Sequence, residues 1–443
     1  MKFPTRSAVA GGAALLCAVM NPAGATNGML MEGYGPIATA LGGAAQAIDH
    51  GTAAMAMNPA TLSLMPTRAR HDAALGMLGP DVKSGVPGSV AAKSSGTSYF
   101  MPALGYTRRS QDGSVVYGFG VFAQGGMGTE YGADSFLAMG SGAPVRSELG
   151  VGSLLFPVAW RVSPTLAVGA TVDWMWAGLD LRMAASGAQL GALVTGASGN
   201  LGAALPVLAS APWARVDFSN GSDFTGRARA TGWGGKLGLV WQPATELTLG
   251  ASYRFKSSLK DMSTPDGGAS MSAAGGFGDV GRMTVVDFQW PAVAAVGLGW
   301  RFRPDWLLAA DVRRIAWADV MASFRMRYES AAMGGSVSFS LPQAWDNQTV
   351  TALGLAWSMN DRLTLRAGLN VAANPIPEAL VNPLFPATVK RHYTLGAGWR
   401  FGNANELNAS LTLAPTATVV NGAGLEVSHG QTNVQLMYSY RFH

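Results

Sequence analysis

Few of the residue types that carry out bond chemistry are grouped in this chain. The five histidines, His50, His71, His392, His429 and His443, are scattered, with no metal-ligand spacing and no serine, histidine and acid that share one strand face. A phospholipase or protease working at a membrane needs such a group. The single cysteine, Cys17, lies in an apolar run near the start. Leu16 precedes it in place of a small residue, and Ala14 stands where a lipidation motif has leucine, so Cys17 reads as apolar filler. No enzyme, cofactor or metal site is expected. What remains is binding chemistry of an apolar kind. Met183–Asn220 carries Leu201, Leu205, Leu208 and Trp213 among many alanines and glycines, and Thr264–Gly281 carries Met271 and Phe277 among Gly, Ser and Ala. Apolar side chains gathered in loops mean either capture of an apolar ligand or loops that pack on one another, and both readings stand.

Those loops must be carried by elements of the right kind. Residues 1–25 hold Lys2 and Arg6, the apolar run Ala8–Met20, and Ala23-Gly24-Ala25, the order of a cleavable secretory signal, so the mature chain should begin near Thr26. The mature chain then has no cysteine and takes nothing from disulfides. Hydrophobic residues make up 48% of the 443 and charged residues 13%. Beyond the signal, no run of about 20 apolar residues could span a bilayer as a helix. The apolar residues are instead dispersed with period two. Leu166, Val168, Ala170, Val172, Trp174 and Trp176 alternate with Ala167, Gly169, Thr171, Asp173 and Met175; Leu247–Phe255 and Leu363–Val371 repeat the split. One set suits lipid and the other a lumen.

Short polar turns such as Arg161–Pro164 and Met359–Arg362 alternate with long irregular loops near 183–220 and 264–281. The pattern predicts an all-β fold, an antiparallel transmembrane β-barrel of about fourteen strands over residues 67–443. Trp160, Trp241, Trp300, Trp306, Trp399 and Tyr440 at strand ends would supply interfacial girdles. The last segment puts Leu436, Tyr438, Tyr440 and Phe442 on one face, the usual signal to the barrel assembly machinery, here followed by His443. A formal charge of +5 with no basic tract argues against nucleic acid, and fits contact with outer-membrane lipid and lipopolysaccharide.

Residues 26–66 show no β-alternation and are rich in small residues, so they predict a compact hatch, or plug, ahead of the barrel. The motifs Gly33-Tyr-Gly-Pro36, Ala40-Leu-Gly-Gly-Ala44 and Asn58-Pro59-Ala60, with Trp290-Pro-Ala-Val293 and Arg366-Ala-Gly followed by Asn374-Pro-Ile-Pro-Glu378, resemble the FadL-type outer-membrane transporters of hydrophobic compounds. The resemblance covers essentially the whole mature chain. It implies a monomeric barrel closed by the hatch, with passive uptake of fatty acids or of neutral aromatic and aliphatic hydrocarbons. It also implies loop capture of the ligand and lateral exit at an inward kink of the third strand, where Gly125, Gly126 and Gly128 interrupt the alternation. Asn58, Pro59 and Ala60 would position the hatch against the wall. A fatty acid carboxylate would need a lumenal cation. Arg325 falls close to one basic position of related fatty acid transporters, and Arg182 is a looser counterpart of the other. Either arginine could instead pair with Asp180, Asp311 or Asp319. Asp173–Leu179 holds no basic residue, which keeps neutral hydrocarbons open as substrates.

Overall fold

The computed structural model describes residues 27–222 and 225–442; the expected secretory signal and His443 lie outside the described residues. Period-two alternation produces long strands that pair in chain order. They are β1 (Ala69–Gly85), β2 (Tyr99–Arg109), β3 (Val115–Tyr131), β4 (Val145–Arg161), β5 (Leu166–Ala185), β6 (Ala228–Ala244) and β7 (Leu247–Arg254). They continue as β8 (Val293–Arg303), β9 (Trp306–Ile315), β10 (Gln348–Ser358), β11 (Leu363–Ala372), β12 (Arg391–Phe401), β13 (Asn405–Val420) and β14 (Glu426–Phe442). Each is antiparallel to the next. β14 returns to β1 from Ala69 opposite Phe442 to Gly85 opposite Glu426, which closes the sheet. Closure leaves no unpaired edge, the condition for crossing hydrocarbon with strands.

The sheet holds 23 hydrogen-bonded segments among the described residues, not the about fourteen that alternation suggests. The surplus consists of short strands such as Val194–Ser198, Ala214–Phe218, Ala269–Ala273, Phe277–Val286, Ser323–Ser330 and Ser336–Pro342, which extend the wall on the long-loop side. Their backbones pair with one another, because a packed loop must still satisfy its N–H and C=O groups. Two segments that alternation runs together are in fact broken. Residues 306–321 end their strand at Ile315, turn through Trp317–Asp319, and pairing resumes at Ser323. Residues 282–302 break between Val286 and Val293, around Trp290 and Pro291.

The expected faces hold. In β5, Ala167, Thr171, Asp173 and Met175 are buried while Val172 and Trp174 are exposed. Trp160, Trp241, Trp300, Trp399 and Tyr440 stand on the outside at the short-turn end, and Trp306 stacks on Trp357 at 5.5 Å between ring centres.

Residues 27–68 fill the inside of the ring. A short helix, Gly35–Ala40, and two 3-10 turns, Gly51–Ala56 and Pro59–Leu64, are almost wholly buried. Lumenal side chains on opposite sides of the ring hold their backbone. Asp311 of β9 accepts the Ala45 and Gln46 N–H groups at 2.7 and 3.0 Å. Asn370 of β11 donates to the Gly42 carbonyl at 2.8 Å, and Thr394 of β12 accepts the Gly42 N–H at 3.0 Å. Asp72 of β1 accepts the Thr52 N–H at 2.7 Å, and, side chain to side chain, Thr412 of β13 donates to the Glu32 carboxylate at 2.9 Å. Replacing Asp311 by Ala strands two buried N–H groups at about 1–3 kcal/mol each. The variant is expected to loosen residues 44–46 and to raise ion conductance above wild type in planar bilayers.

Candidate functional site

Two glycines prepare the wall for the Asn58-Pro59-Ala60 triplet. Gly169 of β5 faces Gly238 of β6, and a Cβ on Gly169 would come within 2.5 Å of the Ala60 nitrogen, one on Gly238 within 2.1 Å of Asn58 Oδ1. In the space these glycines leave, Asn58 Nδ2 donates to the carbonyls of Gln46 at 2.7 Å and Leu239 at 3.1 Å, and its Oδ1 accepts the Ala60 N–H at 3.1 Å. Asn58 thus ties the inner segment both to itself and to the wall. Pro59 opens the following 3-10 turn, where its missing donor costs nothing.

On β3 the glycines do what their backbone freedom permits. The β2–β3 ladder runs from Arg109 opposite Val116 up to Ala103 opposite Phe122, and no pairing with β3 continues over Tyr99–Pro102. Pro102 lacks an N–H, so the ladder stops where β2 cannot donate. On its other side β3 shifts register against β4 between Ala123 and Gly125, leaving Gln124 as the extra residue of a β-bulge. Gln124 turns inward; its carbonyl accepts the Tyr34 hydroxyl at 2.9 Å and its Oε1 accepts Arg254 Nη2 at 2.9 Å. Gly125 sits at φ +143°, in the region that favours glycine, and Gly126 donates to the Met29 carbonyl at 3.0 Å. The inner segment therefore replaces β2 as the partner of β3 at this height. Backbone bonding between the flanks returns where Ser95 N donates to the Glu130 carbonyl at 2.8 Å; short of that point the Tyr99 side chain lies against Gly128, where a Cβ would come within 2.9 Å of its hydroxyl. Between these points the wall has a window.

A cavity of about 430 Å³ opens at that window, lined by Phe100, Met101, Val121, Met127, Leu149 and Trp176 together with Gly125, Gly126 and Gly128. A second cavity, of about 440 Å³, lies among the long loops, lined by Leu137, Met183, Leu193, Leu341, Leu380 and Leu384.

The other expected site residues fall elsewhere. Arg325 does not face the lumen. Because the strand restarts at Ser323, Met326 and Tyr328 take the buried face and Arg325 points outward, where it pairs with Asp287 at 2.9 Å with half of its side chain exposed. Arg182 is half-buried on β5, opposite Arg146 and Asp217, and lines neither cavity. Leu201, Leu208 and Met271 are fully buried in one apolar cluster, and Leu205 and Phe277 pack against it. Trp213 is half-buried beside them, its carbonyl accepting the Ala274 N–H at 3.1 Å. These side chains hold the loops together and are not an open capture patch; the space that remains lies next to them, at Met183 and Leu193. Asp180 accepts the backbone N–H groups of Asn220 and Arg227, not an arginine side chain.

Reading along the chain also missed what comes from neighbouring strands. The segment Asp173–Leu179 has no basic residue of its own, yet Lys236 of β6 forms a buried ion pair with Asp173. Tyr34 lies in the Gly33–Pro36 motif, which does not disclose its partners, while Gln124 and Arg254 carry no motif; only the odd residue in the period of β3 marks Gln124. Of the histidines, His50 is buried with Nδ1 at 3.0 Å from the Ile48 carbonyl, and burial pulls its pKa below the ordinary imidazole value. It is held neutral and away from solvent.

A closed barrel filled by its own N-terminal segment and breached on one side by an apolar window defines a class: outer-membrane β-barrels that pass hydrophobic solutes. Comparison with known proteins agrees. The chain belongs to the outer membrane protein transport protein family (OMPP1/FadL/TodX), whose family model matches residues 15–436. It is an outer-membrane protein, and its relatives are transporters and channels. Among solved structures, the Pseudomonas putida toluene transporter TodX is 33% identical with a TM-score of 0.83, over 93% of this chain and 99% of that one. The Ralstonia pickettii toluene transporter TbuX is 30% identical with a TM-score of 0.79, over 93% and 99%. A Pseudomonas aeruginosa FadL homologue, 16% identical with a TM-score of 0.70 over 94% and 100%, shares the fold. A curated Chlorobium limicola protein, described as uncharacterized and named for the 5′ region of a phosphoenolpyruvate carboxykinase gene, matches over 44 residues at 54% identity, 10% of this chain and 22% of its own length.

Because Arg325 is spent on an exposed pair worth no more than about 1 kcal/mol, Arg325→Ala is expected to change the affinity for a hydrophobic ligand by less than about twofold. Tryptophan-quench titration of the purified barrel checks this.

Proposed function

We propose that this protein is a passive importer of small hydrophobic compounds, with neutral aromatic hydrocarbons favoured over long-chain fatty acids. In this reading solute enters the cavity among the long loops, residues 27–66 act as a hatch that shifts to admit it, and it leaves sideways through the window between β2 and β3. The observation that carries the reading is that window: an apolar cavity set in a wall whose two flanking strands stop pairing. A hydrophobe that left downward would have to cross into water, at about 0.8 kcal/mol per CH₂, whereas a sideways exit keeps it in an apolar phase. The preference for neutral solutes rests on the arginines. The cation expected to read a carboxylate points outward and is already paired, and two relatives above 30% identity or at it are described as toluene transporters. The activity is transport with no catalytic step, carried out by a monomer set among lipopolysaccharide after insertion by the barrel assembly machinery.

Deleting Gln124 removes the bulge and restores alternation along β3, so the window should close. Uptake of labelled toluene into outer-membrane vesicles carrying the deletion is expected to fall to the level of vesicles without the protein. Uptake equal to wild type would reject lateral exit. In wild-type vesicles an excess of oleate is expected to leave toluene uptake unchanged, whereas strong competition would restore the fatty acid reading.

A further inference from the structure

The window cavity does not end at the inner surface of the wall. Residues directly opposite one another on antiparallel strands share a face. Gly126 of β3 lies opposite Gly150 of β4, and Gly150 opposite Gly178 of β5. Gly150 alternates with the buried Leu149 and Val151 and is in phase with the exposed Phe156, Val158 and Trp160, so the three glycines form a row on the lipid-facing side. All three line the same cavity as the window. A row of missing side chains across three neighbouring strands makes a trough one side chain deep in the outer wall.

Its borders are visible. One step down, Gly152 lies opposite Trp176, and a Cβ on Gly152 would meet the Trp176 ring at 2.2 Å, so the indole lies across Gly152 and walls the lower side. At the far end a Cβ on Gly178 would come within 2.7 Å of the Gly226 nitrogen, so the backbone of the 225–227 loop closes the trough. Toward β3 it is open to the window, where Gly152 faces Ala123. Gly150 stands ten residues above the girdle residue Trp160, on the order of 25 Å for strands tilted as in such barrels, at the outer-leaflet boundary of the hydrocarbon.

We propose that solute leaving through the window passes along this trough, and that Gly150 and Trp176 set the width of the solute released into the membrane. The proposal rests on the lateral-exit reading and adds its outer half. The occupant is the departing solute, because the trough and the lumenal side of the window are one continuous cavity. A flat molecule of single-ring thickness lies in a groove one side chain deep against an indole; a bulkier solute does not.

The test uses Gly150, whose added Cβ would meet nothing within 4 Å and whose backbone is ordinary strand, so side chains are accommodated outward without strain. Full-length Gly150→Ala, Gly150→Val and Gly150→Phe are compared in outer-membrane vesicles with Ala170→Phe, a change of the same chemistry on the exposed face of β5 away from the trough. Folding of each variant is followed by its heat-modifiable migration on gels. Toluene uptake is expected to fall in order of side-chain size, by about tenfold for Gly150→Phe, and to stay at the wild-type rate for Ala170→Phe. Trp176→Ala is expected to raise uptake of a two-ring solute, methylnaphthalene, relative to toluene. Wild-type uptake across the Gly150 series, with the Gln124 deletion inactive, would overturn the trough while leaving lateral exit in place. An active Gln124 deletion would overturn both. Equal losses in Gly150→Phe and Ala170→Phe would mean that bulk anywhere on the outer wall slows uptake, which also overturns the trough.

Discussion

A strand that parts from its neighbour inside a membrane must find another partner for its backbone, since each unpaired N–H or C=O in hydrocarbon costs several kcal/mol. In this barrel the partner is Met29, whose carbonyl takes the Gly126 N–H that β2 does not reach. The rest of the structure depends on that substitution. Without it, β3 could only return to β2 and the wall would be whole. With it, one element both fills the lumen and takes the place of β2 beside β3, through one stretch of backbone, residues 29–30.

That stretch is positioned from elsewhere in the ring. Asp311, Asn370, Thr394 and Asp72 hold the inner segment by its backbone groups, and Thr412 holds it by the Glu32 carboxylate. The wall in turn carries glycines where the segment comes close. Gly354 and Gly368 face Leu41 and Gly42, and Gly169 and Gly238 face the Asn58 triplet. The contact is close and of two kinds: these polar bonds, and an apolar cluster in which Tyr34, Leu41, Ile48, Met55 and Leu62 pack on Val116, Phe122, Leu155 and Ala352 of the wall.

Much of this was legible in the sequence, for reasons that can be named. Alternation in β5, β7 and β11 depends only on the contrast between lipid and lumen, so inward and outward faces followed directly. The glycines of β3 and the Asn58 triplet were legible because special backbone needs special residues. Arg325 was placed by resemblance alone; the strand restarts at Ser323 with Met326 and Tyr328 on the buried face, and a one-residue change of phase turns a strand inside out. The ion pair of Lys236 with Asp173, and the grip of Asp311 on Ala45 and Gln46, lay beyond reach since partners on neighbouring strands or across the lumen leave no spacing in the chain. The apolar loops were read as binding or packing; Leu201, Leu208 and Met271 proved to be packing, and the free volume lies beside them.

The claim at the centre is that solute crosses the wall sideways at β3 while residues 27–66 remain in the lumen. Crystals of the protein soaked in iodobenzene and measured at an iodine-sensitive wavelength test it most directly. The account predicts iodine peaks between β2 and β3 beside Gly125 and Gly126, with the inner segment still bonded to Asp311 and Asn370. Peaks passing beneath the inner segment, near Ser63 and Arg161 at the short-turn end, would show a path straight through to the periplasm and contradict it.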